Sequence, residues 1–218
     1  MIRVVLADDE AMIRAGVRAI LATDEGVEVV AEARDGREAV ELTRAHRPDV
    51  VLLDIRMPHL DGLSAAAEVR ATMPEVAVVM LTTFDEDEYV ARALDEGASG
   101  FLLKAADPRE LIIGVRAVAD GGAYLSPRIA RKVIARLGGR LARAGTARGR
   151  VESLTPRERE VLALVGRGMP NQDIGRALFL SEGTVKAHVS AILQRLGVNN
   201  RVQAAIIAYE AGLVGTDT

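Results

Sequence analysis

The residues whose types and spacing could do chemistry stand at the ends of apolar runs. VVLADDE, Val4 to Glu10, closes in three consecutive acids. VVLLD closes in Asp54, VAVVMLT brings Thr82, and GFLLK closes in Lys104. Carboxylates crowded at the end of a buried strand repel one another and are costly unless something neutralises them. The acids at 8–10 are therefore either solvated at a strand-to-helix turn or part of a cation site. Each residue has a plain reading by itself: Asp54 a helix cap or solvated turn, Thr82 a strand residue, Lys104 a surface lysine. Brought to one place, they make a different object. Three close carboxylates call for a hard cation with oxygen ligands, and Mg²⁺ fits. A carboxylate beside such an ion can attack phosphorus. The cation and Lys104 would offset charge on the transferring phosphoryl group, and Thr82 could hydrogen-bond that group once attached. Glu10, one step further along, reads as a helix-start residue interacting with the helix dipole.

The elements needed to gather these residues are legible in the first half. IRVVLA, VEVVAEA, VVLLD, VAVVMLT and GFLLK read as strands. Between and after them, residues 11–22, 36–46, 61–72, 86–96 and 107–119 read as helices, the fourth ending before Gly97. Five strands alternating with five helices, the strands apolar almost throughout, predict a parallel sheet covered on both faces. In a doubly wound sheet, sites form beyond the carboxyl ends of the strands, near the topological switch point. Asp8, Asp9, Asp54, Thr82 and Lys104 are all strand-end residues.

Composition bounds the rest. The 218 residues suffice for one large domain or two ordinary ones, and 49% hydrophobic residues allow a core. There is no cysteine, hence no disulfide framework and no thiolate metal site. MIRVVLADDE reads as a strand and not a leader peptide. No apolar run approaches the roughly 18–20 residues that span a bilayer. The expectation is a soluble, cytoplasmic protein. The net charge of −3 hides an asymmetry. Residues 1–120 hold 13 Lys and Arg against 24 Asp and Glu, a balance of −11. Residues 121–218 hold 15 against 7, a balance of +8. An acidic module joined to one that meets a polyanion is expected.

The basic half is helical. GG pairs at 121–122 and 138–139 flank an Arg-rich stretch in which Ile129, Val133, Leu137 and Leu141 recur every four residues, so part of it could be an amphipathic helix. ARAGTARGR, residues 142–150, reads as a flexible basic linker. Its arginines, with Arg128, Arg131, Lys132, Arg136 and Arg140, either contact phosphates or are simply solvated. Thr155-Pro-Arg-Glu158 has the form of a capping box with Pro at the first helical position. That helix runs to about Arg167, and a short one follows from about Asn171 to Leu178. Ser181 caps a third, with Val185, Val189, Ile192 and Leu196 on its core face and Gly197 ending it. A fourth covers about 200–211. The pattern is that of a helix-turn-helix. The outer face of the third helix carries Lys186, Ala187, Ser190 and Gln194, short or hydrogen-bonding residues that can lie against base edges. The positive charge suits counterion release from phosphates.

These residues carry a resemblance. DD at 8–9, LLDIRMPHLDG at 52–62, LTT at 81–83 and GFLLK at 100–104 resemble a two-component receiver domain over residues 1–120. LTPREREVLALVGRG and NQDIGRALFLSEGTVKAHVSAILQRLGVNNR resemble a LuxR-type helix-turn-helix over 152–212. Together the chain looks like a response regulator of the NarL/FixJ family. The resemblance implies a flavodoxin-like α/β receiver domain, its five-stranded parallel sheet ordered 2-1-3-4-5, over 1–120. It implies a basic, partly helical linker over 121–150 and an all-α DNA-binding domain over 151–218. It implies that Asp54 accepts a phosphoryl group from a sensor histidine kinase, with Mg²⁺ held by Asp8, Asp9, Asp54 and the backbone carbonyl of Arg56. Thr82 and Phe101 would be a switch pair, and Arg56 and Phe84 match positions that tune dephosphorylation. Lys186, Ala187 and Ser190 would face bases, with Thr184 and Lys186 near the backbone. The last helix would mediate dimerisation on double-stranded promoter DNA. Three departures stand out: Ala105 follows the lysine where many receivers have Pro, Pro170 replaces a Ser or Thr cap, and Gly175 sits mid-helix where Ala is common.

Two other classes of function are weighed against a phosphorylation-controlled transcription factor. One is a constitutive DNA-binding protein whose first domain is only a docking module; the intact acidic set argues against it. The other is a phosphatase with an aspartyl-phosphate intermediate; it would need a second catalytic acid near Asp54, where Arg56 stands instead.

Overall fold

The computed structural model describes residues 1–83, 89, 92–93, 96–104, 107–126, 129 and 147–214. They form two compact units: Met1–Ala119 with Tyr124–Ile129, and Asp120–Ala123 with the remainder of the chain.

In the first unit, strands β1 (Ile2–Ala7), β2 (Val27–Ala33), β3 (Val50–Asp54), β4 (Ala77–Thr82) and β5 (Gly100–Leu103) alternate with helices α1 (Ala11–Leu21), α2 (Gly36–His46), α3 (Gly62–Thr72) and α4 (Pro108–Ala119). The apolar runs become the central strands. All five residues of β3 and the last five of β4 are buried. Val4, Leu6, Val50, Leu52, Val79, Leu81 and Leu102 form one core cluster with Val17 and Leu21 of α1 and Leu111, Val115 and Val118 of α4. Each such burial contributes roughly 1.5–3 kcal/mol. β2, which alternates polar residues, is an edge strand.

Among the described residues the sheet has six strands, not the expected five. A two-residue strand, β6 (Tyr124–Leu125), pairs in parallel with β5, giving the order β2-β1-β3-β4-β5-β6. The expected 2-1-3-4-5 sequence is intact within it. Tyr-Leu between a Gly pair and a Pro has no alternation to read. The open hydrogen-bonding edge of β5 makes it a strand, through Ser126 N–H to the Phe101 carbonyl at 3.2 Å. The helix expected over 86–96 lies largely outside the described residues. So do Phe84, Ala105, the repeat from Val133 to Leu141, and Arg128, Arg131, Lys132, Arg136, Arg140 and Arg143.

The second unit holds α5 (Ala147–Glu152), α6 (Pro156–Gly166), α7 (Asn171–Leu178), α8 (Glu182–Leu196) and α9 (Arg201–Glu210). α5 corrects an expectation, since its first four residues were read as flexible linker. Val151 and Leu154 are buried in the core of this unit, and Arg150 donates to the Leu196 carbonyl. Long-range burial, invisible in an Arg- and Gly-rich stretch, ends the linker early. The capping box forms as read: Glu158 N–H donates to Thr155 Oγ1, and Thr155 N–H donates to Glu158 Oε2 at 2.8 Å. Pro170 stands at the N-cap of α7 without a side-chain bond, and Asn200 caps α9.

Candidate functional site

The acidic set is assembled by three adjacent strands and a short one. Asp8 follows β1, Asp54 ends β3, Thr82 ends β4 and Lys104 follows β5. Asp8 is fully buried, Asp54 is 7% exposed, and the Lys104 side chain is 4% exposed. The Lys104 ammonium lies 2.7 Å from Asp8 Oδ2 and 3.0 Å from Asp54 Oδ1. Lys104 N–H also donates to the Thr82 carbonyl at 2.8 Å, locking β5 to β4 at the site. Asp9 is exposed, and its carboxylate comes together with those of Asp8 and Asp54, one oxygen of each within 4.8 Å of the others. Asp9, Glu10, Asp54, Arg56, Thr82, Thr83, Tyr89 and Lys104 line a cavity of about 200 Å³.

Electrostatics follow from crowding. Burial pushes the Asp54 carboxyl above its ordinary range against the pull of Lys104, and Asp8 pushes the same way. Burial works against the Lys104 ammonium too, but the two carboxylates outweigh it and hold its pKa above the ordinary lysine value. Asp8 Oδ1 accepts the Glu10 N–H at 3.0 Å. Asp8 Oδ2 is buried without a well-aligned hydrogen-bond donor, its contact with Lys104 being charge against charge. One ammonium thus pairs with two of three clustered carboxylates. That donor set, with a buried oxygen lacking an aligned donor, fits a hard divalent cation.

The loop after β3 is built around glycine. A Cβ on Gly62, the first residue of α3, would fall on the Asp54 carbonyl oxygen. Gly62 N–H donates to the Ile55 carbonyl at 3.0 Å. Only a residue without a side chain lets α3 start so close behind the acid. Leu60 N–H donates to the Pro58 carbonyl across His59, whose φ is 62°. This is a three-residue turn of a rare, strained type. The Leu60 carbonyl in turn accepts from Gly36 N–H at 3.1 Å.

Tyr89 was missed in the sequence. Its ring lies 5.4 Å from the Arg56 guanidinium carbon, both at the cavity wall. A lone tyrosine in the acidic run DEDEYV was the signal available. Phe101 is fully buried on β5, paired in register with Met80. Glu10 occupies the N-cap position of α1 without a side-chain cap bond.

In the second unit, α7 and α8 form the helix-turn-helix. Ser181 Oγ accepts the Thr184 N–H at 3.1 Å and starts α8, and Gly197, at φ 61°, ends it. Val185, Ile192 and Leu196 are buried. Thr184, Lys186, Ala187, Ser190 and Gln194 are all exposed. At 100° per residue the last four share one stripe opposite the core face. Lys186 pairs with Glu182 at 2.8 Å. Glu158 ties α8 to α6: Arg195 donates to its Oε2 at 2.9 Å. Burial alone would raise the Glu158 carboxyl, but the Thr155 amide and hydroxyl and Arg195 hold it below the usual range. The turn between the helices is tight. Leu180 N–H donates to the Gly175 carbonyl at 2.9 Å, and a Cβ on Gly175 would stand 2.8 Å from the Leu180 carbonyl oxygen.

A parallel sheet with an acidic pocket at its strand ends, joined to a helix-turn-helix unit, defines a receiver coupled to a DNA-binding domain. Comparison agrees. Residues 4–116 match the response regulator receiver domain, and residues 152–208 match the bacterial regulatory proteins of the luxR family. The chain is 42% identical to the transcriptional regulatory protein DegU of Brevibacillus brevis, over 98% of this chain and 95% of that one. A two-component response regulator of the LuxR family from Aurantimonas sp. SI85-9A1 superposes with a TM-score of 0.59 at 32% identity, over 61% of this chain and 95% of that one. ChrA, the response regulator of a heme-sensing two-component system, covers 98% of both chains at 35% identity and a TM-score of 0.54. The chain belongs to the NarL/FixJ family of two-component response regulators and is a DNA-binding regulator.

Proposed function

We propose that this regulator is switched by phosphorylation of Asp54 and that the switch controls its hold on promoter DNA. The observation that carries this is the convergence of Asp8, Asp9, Asp54 and Lys104, of which Asp9, Asp54 and Lys104 line one cavity and Asp8 is buried behind them. Receiver domains bind Mg²⁺ at an acidic pocket of this kind. Here Asp8, Asp9, Asp54 and the Arg56 carbonyl would hold the ion, which supplies charge neutralisation for the incoming phosphoryl group. An Asp54 oxygen forms the new O–P bond as the bond from phosphorus to the kinase histidine breaks, and the histidine, already protonated on its other ring nitrogen, takes the P–N electron pair and leaves as neutral imidazole. Lys104 stays ionised beside Asp54 and offsets charge on the phosphoryl oxygens. Thr82 hydrogen-bonds those oxygens. Phe101, buried in this structure, is the second member of the switch pair. The chain is an acceptor rather than an enzyme with turnover, apart from hydrolysis of its own acyl phosphate.

On the DNA side, Lys186, Ala187, Ser190 and Gln194 read base edges while Thr184 and Lys186 approach the backbone. Phosphorylation favours a homodimer and frees the recognition helix α8. Two such helices would then read half-sites spaced by one or more helical turns. The working place of such a regulator is the cytoplasm, and among the described residues no helix is long and apolar enough to cross a membrane. The test is phosphorylation by a small phosphodonor with and without Mg²⁺, followed by DNA binding. Wild type should incorporate one acid-stable, base-labile phosphoryl group only with Mg²⁺ and bind DNA more tightly for it. Asp54→Asn should do neither. Equal labelling of Asp54→Asn, or equal DNA affinity with and without the phosphoryl group, defeats the reading.

A further inference from the structure

We propose that Phe179 is a DNA-contacting residue, its phenyl ring making an apolar contact with the duplex beside the base-reading stripe of α8. This rests on the reading of α8 as the recognition helix. Two independent observations single Phe179 out. Its side chain is 97% exposed, although phenylalanine is rare in this chain, with three in 218 residues, and Phe101 is fully buried. Its backbone is left-handed, φ 56° and ψ 44°, at the C-cap of α7. That conformation strains a bulky L residue, and glycine or asparagine is the usual occupant. A turn under no other demand would carry one of those. Strain held at a site by its surroundings points toward function.

The surroundings do hold it. Phe179 and Leu180 N–H both donate to the Gly175 carbonyl. Arg157 donates to the Leu178 carbonyl at 2.6 Å, pinning the residue before it. The backbone that carries the ring is therefore held at a fixed place two residues ahead of the α8 N-cap, Ser181. In a helix-turn-helix, the N-terminal residues of the second helix reach the bases while the first crosses the backbone. The turn between them lies at the mouth of the major groove. A rigid ring there meets one of two apolar surfaces of DNA: a thymine C5-methyl, which phenylalanine can contact, or the carbon face of a deoxyribose. Neither contact neutralises a phosphate, so it adds affinity without counterion release.

The experiment uses the full-length chain and the duplex that wild type itself enriches from a random-sequence library. Phe179→Ala should weaken binding by roughly tenfold, the value of withdrawing much of one aromatic contact. The slope of log affinity against log salt should not change. Phe179→Gly should lose affinity equally while melting at a higher temperature than wild type, which separates DNA contact from folding. If replacing thymines by uracil reproduces the loss in wild type but not in Phe179→Ala, the methyl group is the partner. If uracil changes nothing while both variants still lose affinity, the sugar is. Lys186→Ala is run in parallel. Loss in Lys186→Ala with full affinity in both Phe179 variants overturns the inference and leaves the α8 reading standing. Full affinity in all three variants overturns the α8 reading itself. Normal DNA binding by the Phe179 variants with a defect only when RNA polymerase is added also overturns the inference, in favour of a protein contact.

Discussion

Asp54 owes its place to a residue with no side chain. Gly62 lets the first turn of α3 press against the Asp54 carbonyl, so the acid and the loop behind it are packed backbone against backbone. Gly62→Ala must push that backbone aside, and overpacking of this kind typically costs about 1–3 kcal/mol. We expect lower stability in urea and labelling by a small phosphodonor slowed by about tenfold or more, since displacement of a reacting group by about 1 Å can cost a hundredfold. Labelling at the wild-type rate would show that the close approach is structural only. Asp8, Asp9, Asp54, Thr82 and Lys104 were legible because each ends an apolar run, and the sheet brings the ends of such runs together. Tyr89 was not legible, because its meeting with Arg56 at the cavity wall is made by folding and leaves no spacing to read.

The helices were readable where capping chemistry is written in the chain. Thr155 and Ser181 cap as the sequence predicts, and in the structure Asp35 and Asn200 cap two further helices for which no cap was expected. Thr155→Ala should cost about 1 kcal/mol. Because Glu158 also binds Arg195, the same change should loosen α6 from α8, seen as faster amide exchange in both helices rather than α6 alone. Gly175 teaches the opposite lesson. By propensity alone, Gly175→Ala should stabilise a helix by about 0.5–1 kcal/mol. The Leu180 carbonyl lies where the new methyl would go, so we expect no gain and a lower melting temperature. A rise in melting temperature would show that the turn relaxes freely. β6 and α5 escaped sequence reading for one reason. Each is too short for periodicity, and each exists because a neighbour offers it an edge or a pocket.

At the scale of the molecule, contacts far apart in sequence decide how the first unit responds to acid. Asp24, after α1, takes two hydrogen bonds from Arg116 of α4, at 2.6 and 2.7 Å, and one from Gly26 N–H at 2.8 Å. Arg116 and the Gly26 amide hold its carboxyl well below the ordinary value of 3.8, at about 2. A depressed folded-state pKa contributes stability above the unfolded value, lost as pH falls through the folded one. Wild type should therefore melt above Asp24→Asn at neutral pH, and the gap should close between about pH 4 and pH 2. A gap that is independent of pH would mean the pair contributes only through packing. The charge asymmetry belongs to this scale too. The basic half predicts DNA affinity that falls steeply with salt.

β6 bears on where this protein can be cut. The chain leaves the fifth strand, makes α4, and returns to lay Tyr124 and Leu125 along Gly100 and Phe101. A receiver fragment ending at residue 120, where the sequence alone would place the border, strips that cover. The bare edge of β5 then offers unpaired amides and carbonyls to any other strand. A fragment carried on to residue 126 keeps its own edge occupied. The last six residues would decide whether an isolated receiver stays in solution or adds to its neighbours as the next strand.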